Sequence, residues 1–527
     1  MGERTESGAG HPYAPDASFD GGDLDCGSGL LLLIRRHIDP LARGQLLEIR
    51  STESSVREDL PAWCRLTGNE LVSVLHHGRS GSYLVSKGPF QPAAAASAAP
   101  QNFSSYGRAT PFAHTDGEPG EPKVAAVAAA SAWALSAPTI RPLSVMGVGS
   151  WPRPRWMQQA LHDYHERRLA ADAFQETADD AVRLCVEAQL RAGVDVLTDG
   201  EQRRDNYASF VGALLDNCQL IPITDLLPYV DDPERFKEEL RALDVPAERV
   251  RHPAVFGRLA RSRPLALSEL QFVRGLSDLP VKIALPGPYL LTRTMWMECI
   301  SDRAYATRED LAEDIVRVLR EELDCLLAAG AAMVQFDEPV LSEVVFGRPS
   351  AQRTFMCGAL GPRRSPAEEL EFAESLINRV VEGMPTERIA LHVCRGNWSP
   401  DERVALAGDY RPLVGLFSRV KAGTLILEAC TARAGEIDVL SQLPEDRRIG
   451  VGVVNQKLLP SPTLAEEVLA RAERAVARFG PDRVLLNPDC GFATFADNPI
   501  VPPAAAERQL AAIAQAARLL RRKYHLD

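Results

Sequence analysis

Residues 331–339 read AAMVQFDEP, a short apolar run closed by Asp337, Glu338 and a proline. The same design returns at 388–396 (RIALHVCRG) and at 483–491 (RVLLNPDCG). Working outward, five more runs share it: SVMGVGS (144–150), DVLTDGE (195–201), VKIALPGP (281–288), GTLILEAC (423–430) and RIGVGVV (448–454). Their β-branched and apolar content reads as strands buried on both faces. Long amphipathic stretches separate most of them, among them ADDAVRLCVEAQLRAG (178–193), REDLAEDIVRVLREELDCLLAAG (308–330) and TLAEEVLARAERAVARFG (463–480). Eight strands alternating with helices across 141–527 predict an α/β fold, a (β/α)8 TIM barrel with insertions. A doubly wound open sheet is the alternative, but no G-x-G-x-x-G turn follows the first strand.

Nearly every run finishes in chemically useful groups: Gly149-Ser150, Asp199-Gly200-Glu201, Asp337-Glu338, His392-x-Cys394, Glu428, Asn455 to Lys457, and Asp489-Cys490. A barrel gathers those strand ends on one face, where active sites lie. His392 and Cys394 stand two apart on a strand, so both side chains face one centre. Zinc takes three or four N, S or O donors, and Glu428 and Cys490 end two further runs. The bland alternative for a lone H-x-C is a buried thiol beside an incidental histidine. The matching strand ends favour the metal. Cys430 is a weaker rival ligand. Cys185 and Cys325 fall on helical stretches and Cys218, Cys299 and Cys357 in insertions, all five read as structural.

The bulk numbers exclude some classes. A chain of 527 residues, 45% hydrophobic and 25% charged, can bury more than one core. Its net charge of -12 argues against nucleic acid or an anionic membrane as partner. No apolar run approaches the roughly 18 residues needed to cross a bilayer. The start lacks a secretory pattern and ten cysteines are ordinary usage, so the expected location is cytoplasmic. By composition, residues 1–21 read as disordered, 22–88 as a small domain, and 89–140, rich in Ala, Pro, Ser and Gly, as a flexible linker.

Residues 141–527 resemble the catalytic barrel of the cobalamin-independent methionine synthase family and its short, single-barrel relatives. The resemblance runs in order through VGSWPRP, VLTDGEQR, LPGPYLLT, FDEPVL, LHVCRGN, LILEA, GVGVVNQK and NPDCGF. It implies Zn2+ held by His392, Cys394, Glu428 and Cys490, with the thiol of homocysteine bound to the zinc. It also implies an amino-acid pocket of Gly149, Ser150, Glu201 and Asp337. That is sound chemistry, since carboxylates pair with an ammonium and turn N–H groups receive a carboxylate. The alternative for Glu201 and Asp337 is structural ion pairing with Arg203 or Arg204. Two departures stand out: nothing matches the family's second, N-terminal barrel, and its D-x-H segment reads Asn455-Gln456-Lys457. Lys457 therefore stands where the family has a histidine proposed as proton donor. The methyl donor implied is methyltetrahydrofolate or a methyl-corrinoid protein, and the activity a zinc-dependent S-methyltransferase making methionine from homocysteine or a similar thiol. A zinc-dependent thiol transferase acting on an epoxide and a non-catalytic sulfur-relay or binding protein are the alternatives.

Residues 22–88 read as β-α-β-α-β-β, a two-layer α+β unit. Cys26 stands where its first helix begins, a position that lowers a thiol's pKa. The segment resembles the TusA-type sulfur-carrier (sulfurtransferase) family, in which the cysteine of a C-P-x-P motif carries a persulfide. Here the motif is Cys26-Gly27-Ser28-Gly29, with both prolines replaced. The resemblance implies a sulfur-relay protein as partner. The alternative is a domain kept for docking or solubility, and Cys64 reads as core.

Overall fold

The computed structural model describes residues 10–24, 29–77, 80–90, 137–223, 250–297, 301, 304–347, 364–435 and 437–526. Cys26, Cys299, Cys357 and most of the expected linker lie outside the described residues. Two compact units are distinguished.

The elements of the N-terminal region are β1 (Ala17–Asp20), α1 (Leu31–Ile38), β2 (Leu46–Ser51), α2 (Val56–Thr67), β3 (Glu70–His77) and β4 (Ser80–Ser86). The sheet order is β1-β2-β4-β3, with β1 parallel to β2 and the other pairs antiparallel. Leu47 lies opposite Val85 and Ile49 opposite Tyr83, and all four are buried on one face. The helix α2 stops at Gly68, whose φ of 70° only glycine adopts freely. Cys64 is buried, and burial pushes its thiol up to about 12. The strand β1 falls inside the stretch whose composition reads as disordered. Pairing explains the difference: Asp16 accepts a hydrogen bond from the Leu46 N–H at 2.7 Å, and β1 runs alongside β2.

The second unit holds α3 (Arg155–His165), α4 (Ala171–Ala192), β5 (Asp216–Pro222), β6 (Arg251–Ala260), α5 (Leu267–Leu276), β7 (Lys282–Pro286), α6 (Pro288–Met295) and α7 (Arg308–Ala328). It continues through β8 (Met333–Asp337), α8 (Val340–Phe346), α9 (Pro366–Val380), β9 (Ile389–Val393), α10 (Val414–Arg419), β10 (Thr424–Leu427), β11 (Arg448–Val454), α11 (Leu464–Phe479), β12 (Val484–Pro488) and α12 (Pro503–Tyr524). Six strands form a parallel sheet in the order β12-β11-β10-β9-β8-β7. Parallel bridges Val145–Leu486, Met146–Val196 and Leu197–Val281 close it. The first two expected strands are therefore single bridges rather than full ladders, yet they complete an eight-position, TIM-barrel-like ring.

The interior follows from strand alternation. Met146, Val196, Met333, Ala390, Ile426 and Leu485, from different positions round the ring, form one buried cluster. Cross-strand register aligns the strand ends: Pro286 lies opposite Asp337, Asp337 opposite His392, and His392 opposite Ile426. An antiparallel pair, β5 with β6, is an insertion the apolar runs do not announce. No described helix is long and apolar enough to cross a membrane.

A buried ion pair ties the second βα turn to α5. Arg204 donates to Glu269 at 3.2 and 2.5 Å and to the Ala284 carbonyl at 2.9 Å, and its guanidinium lies 4.0 Å from the Phe210 ring centroid. Removing one partner leaves the other charge buried without compensation. Glu269→Ala is expected to lower unfolding free energy by about 3–5 kcal/mol, measured by denaturant titration. A loss below about 1 kcal/mol, the range of an exposed pair, contradicts that role.

Candidate metal and substrate site

His392 projects from β9, and its Nδ1 lies 3.0 Å from the Ile426 carbonyl on β10. A carbonyl only accepts, so Nδ1 carries a proton, and in the neutral imidazole Nε2 keeps its lone pair. Nε2 has no hydrogen-bond partner although the residue is only 3% exposed. A ring nitrogen of His392 and the sulfurs of Cys394 and Cys490 lie within 4.8 Å of one another, all three residues buried. The Cys490 thiol hydrogen-bonds Cys394, which holds Cys394 well below its usual pKa and Cys490 well above. Burial works to lower His392, but Cys394, Asp337 and the Ile426 carbonyl together hold it above its usual value. One free imidazole lone pair and two sulfurs suit a borderline-soft divalent ion rather than magnesium or calcium.

Glu428 stands beside this group and outside it. Its Oε1 accepts from the Arg395 backbone N–H at 2.5 Å, and its Oε2 pairs with Arg433 at 3.1 Å. Arg395 lies over the Tyr410 ring at 3.9 Å. The Tyr410 hydroxyl donates to the Val393 carbonyl at 2.9 Å and accepts from the Glu428 N–H at 3.0 Å, tying the ends of β9 and β10 together. Cys430 is half-buried and takes no part in the donor group, its thiol pushed up to about 12 by burial.

The same cleft, about 420 Å³ counted out to open solvent, is lined by Gly149, Ser150, Glu201, Asp337, His392, Cys394 and Cys490. Glu201 holds a φ of 54°, uncommon for a side-chain-bearing residue. Arg153 clasps that turn, donating to the carbonyls of Glu201 (2.5 Å), Arg204 (2.6 Å) and Ala493 (3.1 Å). A Cβ at Gly149 would collide with Glu201 Oε1, so glycine is required for this approach. Glu201 Oε2 is buried without a partner, and burial pushes the carboxyl up to about 7. Asp337 is also raised by burial, with His392 and a Gln335 hydrogen bond at 2.7 Å opposing. Neither carboxylate forms an ion pair among the described residues, because Arg204 is taken by Glu269 and Arg203 by Asp179.

Glu338, grouped with Asp337 by its place at the strand end, serves the fold. Its two oxygens accept from the N–H groups of Tyr289 (2.7 Å) and Leu290 (2.9 Å) at the start of α6. Burial pushes it up to about 8 while those two N–H groups pull it back. Lys457 lies off the cleft. Its Nζ sits 3.4 Å from Glu402, which pairs with Arg433 at 2.8 Å, the same arginine that meets Glu428. Burial lowers the Lys457 pKa and Glu402 partly offsets this.

Tyr207, Asn397, Trp398 and Thr494 also line the cleft and were not among the expected site residues. Asn397 and Trp398 directly continue the LHVCRG stretch, which is the only signal the sequence offers for them. Protein loaded with Co2+ is expected to show sulfur-to-cobalt charge-transfer absorption that weakens in Cys394→Ser and in Cys490→Ser and persists in Cys430→Ser. A spectrum unchanged by Cys394→Ser contradicts the donor group.

Residues 143–228 and 234–513 match the cobalamin-independent synthase catalytic domain. The methionine synthase of Saccharolobus solfataricus is 24% identical over 349 residues, covering 66% of this chain and 86% of that protein. The 5-methyltetrahydropteroyltriglutamate–homocysteine methyltransferase of Thermosynechococcus vestitus is 25% identical over 367 residues, 69% of this chain but 42% of that longer one. In fold, a B12-independent methionine synthase from Shewanella sp. W3-18-1, solved in complex with selenomethionine, aligns at a TM-score of 0.55 with 21% identity, covering 73% of this chain and all of that one. The matched segments span well over half of the chain, which belongs to the cobalamin-independent methionine synthase catalytic-domain family.

Proposed function

We propose that this transferase methylates the thiol of homocysteine to give methionine, with zinc held by His392, Cys394 and Cys490 and with Glu428 as the fourth ligand. One observation carries the reading. A nitrogen-and-sulfur donor group and two unpaired buried carboxylates, Glu201 and Asp337, open on the same cleft. That cleft suits a molecule with a thiol at one end and an ammonium at the other. The relatives' names agree with it, as does selenomethionine in the Shewanella structure.

Bound zinc supplies Lewis acidity that lowers a thiol's pKa toward neutrality. The chain supplies the rest. Glu201 and Asp337 take the substrate ammonium, and the Gly149-Ser150 turn takes its carboxylate. The sulfur, having lost its proton, gains a methyl group in line; a folate nitrogen that loses the methyl takes up a proton, whereas a corrinoid cobalt keeps the bonding electron pair and needs none. With a folate donor that proton falls to Lys457 by its place in the sequence, which requires it to leave Glu402, 3.4 Å from its Nζ, and move into the cleft. The methyl donor is methyltetrahydrofolate or a methyl-corrinoid protein. For residues 22–88 we keep the sulfur-carrier reading, with Cys26 as carrier and residues 89–140 as linker to the barrel of 141–527. The β-α-β-α-β-β order supports it once its first strand, Ala17–Asp20, is counted with the segment, and a cytoplasmic setting suits thiol chemistry.

The direct assay incubates full-length, zinc-loaded protein with homocysteine and each methyl donor, and separately with thiols and epoxides, reading products by mass spectrometry. Methionine with one methyl donor is the expected result. A thioether from the epoxide arm alone moves the assignment to thiol alkylation, and no product in any arm returns the binding-protein alternative. A second test uses pH. Glu201 near 7 in the free protein must lose its proton to pair with an ammonium, so binding releases a proton. The affinity for L-methionine is therefore expected to fall about tenfold per unit as pH drops below about 7, with Glu201→Gln flattening the profile. Calorimetry giving a flat wild-type profile contradicts the role of Glu201.

A further inference from the structure

Lys282, the first residue of β7, is fully buried, and a buried lysine is rare unless paired. It has no ion pair among the described residues. Its Nζ donates to the Gly147 carbonyl at 2.7 Å and to Gln335 Oε1 at 2.6 Å. An ammonium only donates, which turns the Gln335 oxygen toward Lys282 and its amide N–H toward Asp337. Gln335 Nε2 accordingly donates to Asp337 Oδ1 at 2.7 Å, both residues buried. The chain of contacts ends at a carboxylate on the cleft and begins at a glycine two residues before Gly149.

Packing does not account for this lysine. Interior cluster residues such as Met146, Val196 and Met333 are apolar, and an apolar side chain avoids the desolvation cost of an ammonium. Burial draws Lys282 down to about 7, while Asp337 and Glu201 pull it back up, so its charge is felt by both cleft carboxylates. We infer that Lys282 and Gln335 are positioning residues: their hydrogen-bond relay orients the Asp337 carboxylate, and the buried ammonium balances one of the two cleft carboxylates. The cleft is then matched to a ligand bearing one ammonium, and the relay sets the preference for thiols that carry an α-amino group. This rests on the proposed role of Asp337.

The experiment measures calorimetric affinities of the full-length, zinc-loaded protein for L-homocysteine and for 4-sulfanylbutanoate, which lacks the amino group. Wild type, Lys282→Met, Gln335→Leu and Asp337→Asn are compared, with melting curves to establish folding. Lys282→Met and Gln335→Leu are each expected to lose about tenfold or more of the preference for homocysteine, with the 4-sulfanylbutanoate affinity held within about twofold. Equal weakening of both ligands indicates a structural role only and overturns the inference. Should Lys282→Met fail to fold, Gln335→Leu decides alone. Asp337→Asn separates the two claims. If it keeps the preference, the pocket reading fails; if it loses the preference while the relay variants keep it, the relay fails.

Discussion

The site depends on a register. Asp337 on β8 pairs across to His392 on β9, and His392 to Ile426 on β10, so three strands deliver residues at or next to their ends at one height. The Ile426 carbonyl then takes the Nδ1 proton of His392 and leaves Nε2 bare beside two thiols. A slip of one residue would turn His392 away from the barrel interior. Closure of the ring through the Val145–Leu486 bridge brings Cys490, from the far edge of the sheet, within reach.

Electrostatics separates the cleft's two ends. Glu201 and Asp337 are buried and form no ion pair among the described residues, and burial raises both. The nearby arginines are committed elsewhere: Arg153 to backbone carbonyls, Arg203 to Asp179 and Arg204 to Glu269. Lys282 offsets part of the carboxylate charge, and the remainder is left for a ligand. Glu428 is the reverse case, a buried carboxylate satisfied by Arg395 and Arg433. Arg433 in turn links Glu428 to Glu402 and Lys457.

Much of this was legible in the sequence because parallel strands buried on both faces leave continuous apolar runs, and because barrel chemistry gathers where those runs stop. His392, Cys394 and Cys490 followed from that pattern together with a family resemblance. Other features left no such trace. The first two ring positions end in glycine-rich turns and hold single bridges only. In β5 and β6, Pro222 and Pro253 interrupt the apolar pattern. Lys282 looks like an ordinary lysine at a strand start, and its partners Gly147 and Gln335 lie 135 and 53 residues away. Glu338 reads as one of the chemically useful groups at a strand end until the start of α6 is seen to rest on it.

The central claim is that a zinc ion bound by this chain takes the substrate's sulfur. Zinc-edge X-ray absorption on the full-length protein, recorded without and with L-homocysteine, tests it most directly. The account predicts two sulfur neighbours at about 2.3 Å with nitrogen or oxygen completing the shell, and one further sulfur when homocysteine is added. A zinc shell without sulfur, or one that homocysteine leaves unchanged, would contradict it.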